Sequence, residues 1–227
     1  MTATTQRKGP IESRPWPEAI DAFVVDSSAE PRIHGFDVES DLAAHYRFSD
    51  VAFLALVGRL PDDEQSRAFE IALCFLAPLS VGAAAGHAAV LAGFCGAPPS
   101  GVLATSAVTI ADSARDRIEA VLALSADADL PSALRASTDA ERAAVGRLRA
   151  RLQGVVDVPR LAHDPSRDVA LIEVLRACGL TTALQLTAAV TVGRLPCAVA
   201  EAGHRSSAEF VEKYPMNTPP FVYEADE

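Results

Sequence analysis

The residues best suited to chemistry gather in one short segment. Pro159-Arg160-Leu161-Ala162-His163-Asp164-Pro165-Ser166-Arg167-Asp168 sets a histidine and an arginine in a proline-bounded stretch before a helix. Histidine changes charge near neutral pH, and the arginine fork matches a carboxylate, so such a loop suits an anionic substrate. The same ten residues also read as a solvated turn, with Arg167 and Asp168 at a helix start; chemistry alone leaves both readings open. Elsewhere the reactive types are scattered. His34, His45, His87, His163 and His204 form no H-x-x-x-H pair, so no metal site is expected. His87, in an alanine-rich stretch, reads as a core histidine bonded to a carbonyl. Cys74, Cys95, Cys178 and Cys197 lie among apolar neighbours without a C-x-x-C pair, and read as reduced core thiols. There is no G-x-S-x-G elbow and no G-x-x-x-x-G-K-[ST] loop, and Gly82–Gly86 lacks the strand-turn-helix setting of a dinucleotide fingerprint.

The elements that must position these residues are helical. The 227 residues are 49% apolar and 22% charged, which excludes a disordered chain, a collagen-like fibre and a coiled coil. A formal charge of −10 argues against a phosphate-binding face, so no nucleic-acid partner is expected. Reduced thiols and an opening segment without an apolar core predict a cytoplasmic protein. Within Phe48–Leu60, Ser49 reads as an N-cap before Asp50 and Gly58 as the stop of that helix, and Pro61-Asp62-Asp63-Glu64 as the acidic first turn of the next, which runs to about Leu76. From Ile71 to Ala111 there are 41 residues without Asp, Glu, Lys or Arg. Pro78, Pro98 and Pro99 break this run, and Ala and Gly dominate it, which argues against a membrane hairpin. It predicts helices buried on all sides, in a helical core or at a large subunit interface, with Gly82 and Gly86 allowing close approach. Helical spacing recurs over 115–124, 139–152, 169–180 and 183–202; 155–168 and the proline-rich 214–227 read as irregular. Strand signals are scarce, so the fold is expected to be all-α.

Residues 33–64, IHGFDVESDLAAHYRFSDVAFLALVGRLPDDE, resemble the N-terminal signature of the citrate synthase family. Gly35-Phe36-Asp37-Val38, Leu42-Ala43, Phe48, Val51-Ala52 and Gly58-Arg59-Leu60-Pro61 carry the match. Later segments follow in order. Gly96-Ala97 is similar to the end of the family's buried interface helix. Ala162-His163-Asp164-Pro165-Ser166-Arg167 is similar to a shortened Gly-His…Asp-Pro-Arg loop. Gly193-Arg194-Leu195-Pro196 resembles the start of a late helix, and Lys213-Tyr214-Pro215 with Tyr223 the tail.

The resemblance implies a divergent, shortened member: an irregular arm over 1–32, then a helical domain over 33–227 with a reduced small-domain region at about 112–180. It implies a helical dimer interface, homodimeric or shared with a related chain. The family condenses a CoA thioester with a 2-oxo acid, and short members cleave citryl-CoA; no permanently bound cofactor is implied. The matched positions make His163 the group that polarises a carbonyl, and Arg167 and Arg194 the carboxylate clamps. Other positions depart. Ser80–His87 lacks the family's His-x-x-Asn-Ala-Ser-Thr, Ala111–Ile118 has no His, and 180–192 has no acidic residue where the catalytic Asp belongs. Two functions follow: an enzyme of altered carbon–carbon chemistry on a CoA thioester or polycarboxylate, or a non-catalytic homologue acting as a binding or partner subunit. No membrane partner is expected for either.

Overall fold

A positive-φ pair opens the architecture. The computed structural model describes residues 21–27, 30–125 and 129–204, so the tail positions Lys213, Tyr214, Pro215 and Tyr223 and most of the 1–32 arm lie outside them. The chain divides into two compact units, 1–47 and 48–227. In the first, three two-residue strands form an antiparallel meander: β1 (Val25–Asp26), β2 (Arg32–Ile33) and β3 (Phe36–Asp37). The β2–β3 hairpin pairs Ile33 with Phe36 and turns through His34 and Gly35, at φ +47° and +86°. Two central residues with positive φ suit the right-handed twist of the strands. Asp37 then caps one wide helical turn over Val38–Leu42, its Oδ1 accepting from the Glu39 and Ser40 amides at 2.9 and 2.7 Å. The Ser40 amide, foremost, holds the Asp37 carboxyl below its usual range. A short helix α1 (Ala43–His45) follows. Gly35 and Asp37, two of the residues that carry the family resemblance, therefore have local structural work.

The second unit is built from α2 (Phe48–Val57), α3 (Asp63–Leu76), α4 (Ala84–Phe94), α5 (Pro99–Ala123), α6 (Asp139–Leu152), α7 (Arg167–Ala177) and α8 (Ala183–Gly203). The expected helices are present and the fold is all-α in its bulk. Gly58 stops α2 in the left-handed region at φ +84°. Asp62 and Gln65 form a reciprocal capping box at the start of α3, and Thr182 and Gln185 form another at α8. Ser49 is not a cap: α2 begins one residue earlier, and the Ser49 hydroxyl donates to Glu70 Oε2 at 2.7 Å, tying α2 to α3.

Packing centres on α7. Val169 through Leu175 are all buried, Glu173 among them, so this helix is covered on every face rather than amphipathic. α8 packs against α3, α4 and α5. Two glycines set its distance. A Cβ at Gly93 would lie 2.5 Å from the Ala202 carbonyl oxygen, and one at Gly193 would lie 2.9 Å from Leu76 Cβ. The close approach expected near Gly82–Gly86 thus occurs between helices at Gly93, while Gly86 faces the Ser80 backbone.

Four more expectations are corrected. The uncharged run is buried on one side only. α4 buries Ala85, Gly86, Ala89 and Val90, while Leu103 and Val108 of α5 are 45% and 59% exposed. His87 is exposed, because it faces away from the α5 and α8 side of α4. Of the thiols only Cys178 is core, and burial pushes it up to about 12; Cys74 and Cys95 are exposed. The stretch 155–168 is also more ordered than expected, with a 3-10 turn over Pro159–His163 and α7 starting at Arg167. Among the described residues α8 alone is long and apolar enough to cross a membrane by composition, at mean hydropathy 1.3, yet it carries Arg194.

The two kinds of helical glycine make opposite predictions. Gly93→Ala must push a fixed carbonyl and should cost about 1–3 kcal/mol. Gly146→Ala, in α6 with nothing within 4 Å, should gain about 0.5–1 kcal/mol. Urea midpoints at unchanged slope measure both; a neutral Gly93→Ala would contradict the α4–α8 contact.

Candidate functional site

Positioning begins where α7 starts. Leu134 and Ala136 pair with the segment before it: the Ser166 amide donates to Leu134 O and the Ala136 amide to Asp164 O, each at 2.8 Å, around an Arg135–Pro165 bridge. Asp164 turns the chain through φ +49°. Glu141, in the first turn of α6, accepts from the Ser137 amide at 2.8 Å and hydroxyl at 3.0 Å. Those bonds, with others from the Arg167 and Thr138 amides, hold its carboxyl below the usual range against partial desolvation. The α7 terminus is therefore pinned from two sides, and Arg167 and Asp168 leave it in its first turn.

A second anchor fixes the turn before it. Glu173 is 7% exposed and accepts from Arg160 Nη1 at 2.6 Å and Arg176 Nη1 at 3.3 Å. The other fork of Arg160 donates to the Ser125 carbonyl, and Arg176 reaches the Val121 carbonyl at 3.3 Å. One buried carboxylate thus joins the Pro159–His163 turn to α7 and to the end of α5.

The charges at the α7 start meet α5 and α8. Arg194 Nη2 donates to Asp168 Oδ1 at 2.5 Å, and Arg117 Nε stands 3.9 Å from Asp168 Oδ2. Arg167 Nη2 donates to the Phe75 carbonyl at 2.5 Å, at the end of α3. Leu76, Ala114, Ile172 and Val190 wall a cavity of about 10 Å³ beside the three charged groups Arg117, Asp168 and Arg194, room for about one water. The Arg194 side chain is only 11% exposed, and its Nε is buried with no hydrogen-bond partner among the described residues. A buried donor left unpaired costs free energy, so this nitrogen is ready to bind an acceptor.

Of the three sequence candidates, Arg194 lines this cavity; the Arg167 guanidinium goes to the Phe75 carbonyl, and neither Arg167 nor His163 is in the cavity wall. His163 is exposed at the end of its turn, four residues before Arg167. Sequence reasoning missed Arg117 and Asp168 as site residues. In the sequence Asp168 reads only as a helix-start residue, and Arg117 stands in Ala111–Ile118, where the family resemblance places a histidine. The usable signal was the α5 spacing: Ile110, Ala114, Ile118 and Val121 are buried, which puts Arg117 at the margin of the packed face. A larger groove, about 1070 Å³, runs past the other side of the turn, walled by Arg149, Gly154, Val156, Pro159, Leu161 and Ala162.

Glu173→Ala would remove the buried carboxylate that Arg160 and Arg176 both donate to. It should lose about 3–5 kcal/mol in urea denaturation; a loss under about 1 kcal/mol would show that the anchor is solvated and does not position the turn.

No protein-family model and no curated protein matches the sequence. Solved structures do match the fold. Citryl-CoA lyase from Hydrogenobacter thermophilus aligns at TM-score 0.64 and 15% identity, over 94% of this chain and 97% of that one. An ATP citrate lyase variant from Methanosaeta concilii, in complex with (3S)-citryl-CoA, aligns at TM-score 0.60 and 12% identity over 95% of this chain. The Methanothrix soehngenii ATP citrate lyase, in complex with citrate and coenzyme A, aligns at TM-score 0.56 and 11% identity over 95% of this chain. This chain covers 44% of each ATP citrate lyase. The chain has the citrate synthase-like helical fold of these lyases, at an identity that speaks for fold alone.

Proposed function

We propose that the protein is a divergent citrate synthase-like enzyme that binds a polycarboxylate together with a CoA thioester and makes or breaks a carbon–carbon bond. One observation carries this reading: Arg117 and Arg194 come from two helices to a single carboxylate, Asp168, with a buried Arg194 nitrogen unpaired among the described residues. Two guanidinium groups against one carboxylate leave excess positive charge in a chain whose net charge is −10. That local sign favours a ligand with several carboxylates. Arg194 and Arg117 are the clamps, and Arg167 steadies the end of α3 beside them. His163 is proposed to protonate or polarise a substrate carbonyl, since it is exposed on the turn whose Pro159, Leu161 and Ala162 wall the large groove. That groove has the volume for a thioester-bearing cofactor as substrate. The solved lyases that hold citrate, CoA or citryl-CoA support the same ligand class.

A second reading keeps the fold and drops the chemistry. The cavity beside Arg194 has no histidine in its wall, and apolar faces of α4 and α5 stand uncovered. Those faces favour a partner subunit that pairs with a copy of itself or with a related chain. Under either reading we propose a cytoplasmic location, which suits the exposed free thiols Cys74 and Cys95.

Calorimetric titration of citrate, oxaloacetate, acetyl-CoA and citryl-CoA tests the proposal. Citrate should bind, and Arg117→Ala should weaken it by about 1.5–3 kcal/mol, the worth of a charge-assisted hydrogen bond. Turnover of citryl-CoA would establish the enzyme. Absence of binding by all four ligands would overturn the enzyme reading and leave the partner-subunit reading.

A further inference from the structure

Arg194 is the most confined charge at this junction, and among the described residues Asp168 is the anion paired with it. The two differ in freedom. The Arg194 side chain is 11% exposed and is held among α3, α5 and α8, whereas Asp168 is 33% exposed at the open end of α7. With both in place the cavity has about 10 Å³, too little for a carboxylate group. A ligand carboxylate can therefore reach Arg194 only by taking the position of Asp168. Turned toward water, Asp168 keeps the favourable field of the α7 N-terminus, so its displacement is feasible. We infer that Asp168 is an internal counter-ion that occupies the ligand's anion position, and that it restricts the site to ligands bearing at least two carboxylates. This rests on the polycarboxylate reading above and specifies how that site selects.

The selection follows from the exchange itself. A ligand with one carboxylate swaps one anion for another at Arg194, and Asp168 competes from a tethered position at high effective concentration. Such a ligand gains almost nothing. A second carboxylate changes the balance, because Arg117 is 49% exposed and stands 3.9 Å from Asp168, a long contact easily improved. Asp168 keeps the buried guanidinium compensated between binding events.

The test titrates citrate, succinate and acetate into wild type, Asp168→Asn and Arg117→Ala. Wild type should bind citrate and succinate and ignore acetate. Asp168→Asn should bind citrate about tenfold tighter or more, because the fraction of competent sites rises, and should acquire acetate binding. If wild type binds citrate, Arg117→Ala weakens it and Asp168→Asn binds no tighter than wild type, the counter-ion role is overturned while the polycarboxylate reading survives. If neither wild type nor Asp168→Asn binds any of the three acids, both are overturned. Should Asp168→Asn fail to fold, nitrogen-15 spectra of the wild-type arginine Nε–H groups decide, with the Arg194 resonance assigned through Arg194→Lys. Citrate should shift that resonance and acetate should leave it unmoved; no shift at saturating citrate overturns the inference.

Discussion

A guanidinium group enclosed by helices can be kept charged only if an anion is delivered to it, and that requirement organises the second unit. Arg194 lies on α8, an apolar helix, with its side chain 11% exposed. The desolvation of such a charge is worth several kcal/mol, and a single carboxylate, Asp168, meets it at 2.5 Å. Asp168 must therefore be placed to within a hydrogen bond, which means the start of α7 must be placed first. The Leu134–Ser166 and Ala136–Asp164 bonds, Glu141 at the terminus and the Arg160–Glu173–Arg176 anchor all serve that end. Burial of α7 on every face then makes it a rigid mount.

Close packing of α8 is the second half of the same constraint. Gly93 lets the Ala202 backbone approach α4, and Gly193 lets Leu76 of α3 come against α8 one residue before Arg194. Larger residues at either position would move Arg194 away from Asp168. The site is thus made by helix spacing more than by a loop, and its charged groups come from α5, α7 and α8 while α3 closes it through Phe75 and Leu76.

Much of this was legible in the sequence. The stop of α2 followed from Gly58 and the start of α3 from the acidic run at 62–64, because such signals act within a few residues of themselves, while the capping boxes at Asp62 and Thr182 went unread. The family resemblance rested partly on Gly35 and Asp37, whose turn and cap are also local. What the sequence hid was relational. His87 and Cys95 have apolar neighbours in the chain, yet both are exposed, because α4 turns only one side to α5 and α8. Arg117 and Asp168 are 51 positions apart. They meet only through the α5–α7 contact, and a search by residue type for a missing histidine passed over an arginine. Arg194 was found through the late-helix resemblance, although that segment lies inside α8 rather than at its start.

The central claim is that Arg194 is a carboxylate clamp whose place is held by Asp168, and a crystal structure with citrate bound tests it most directly. The account predicts a citrate carboxylate on the Arg194 Nε and Nη2 edge, a second carboxylate at Arg117, and Asp168 turned to solvent. Citrate bound elsewhere with the 2.5 Å Arg194–Asp168 pair intact would contradict it.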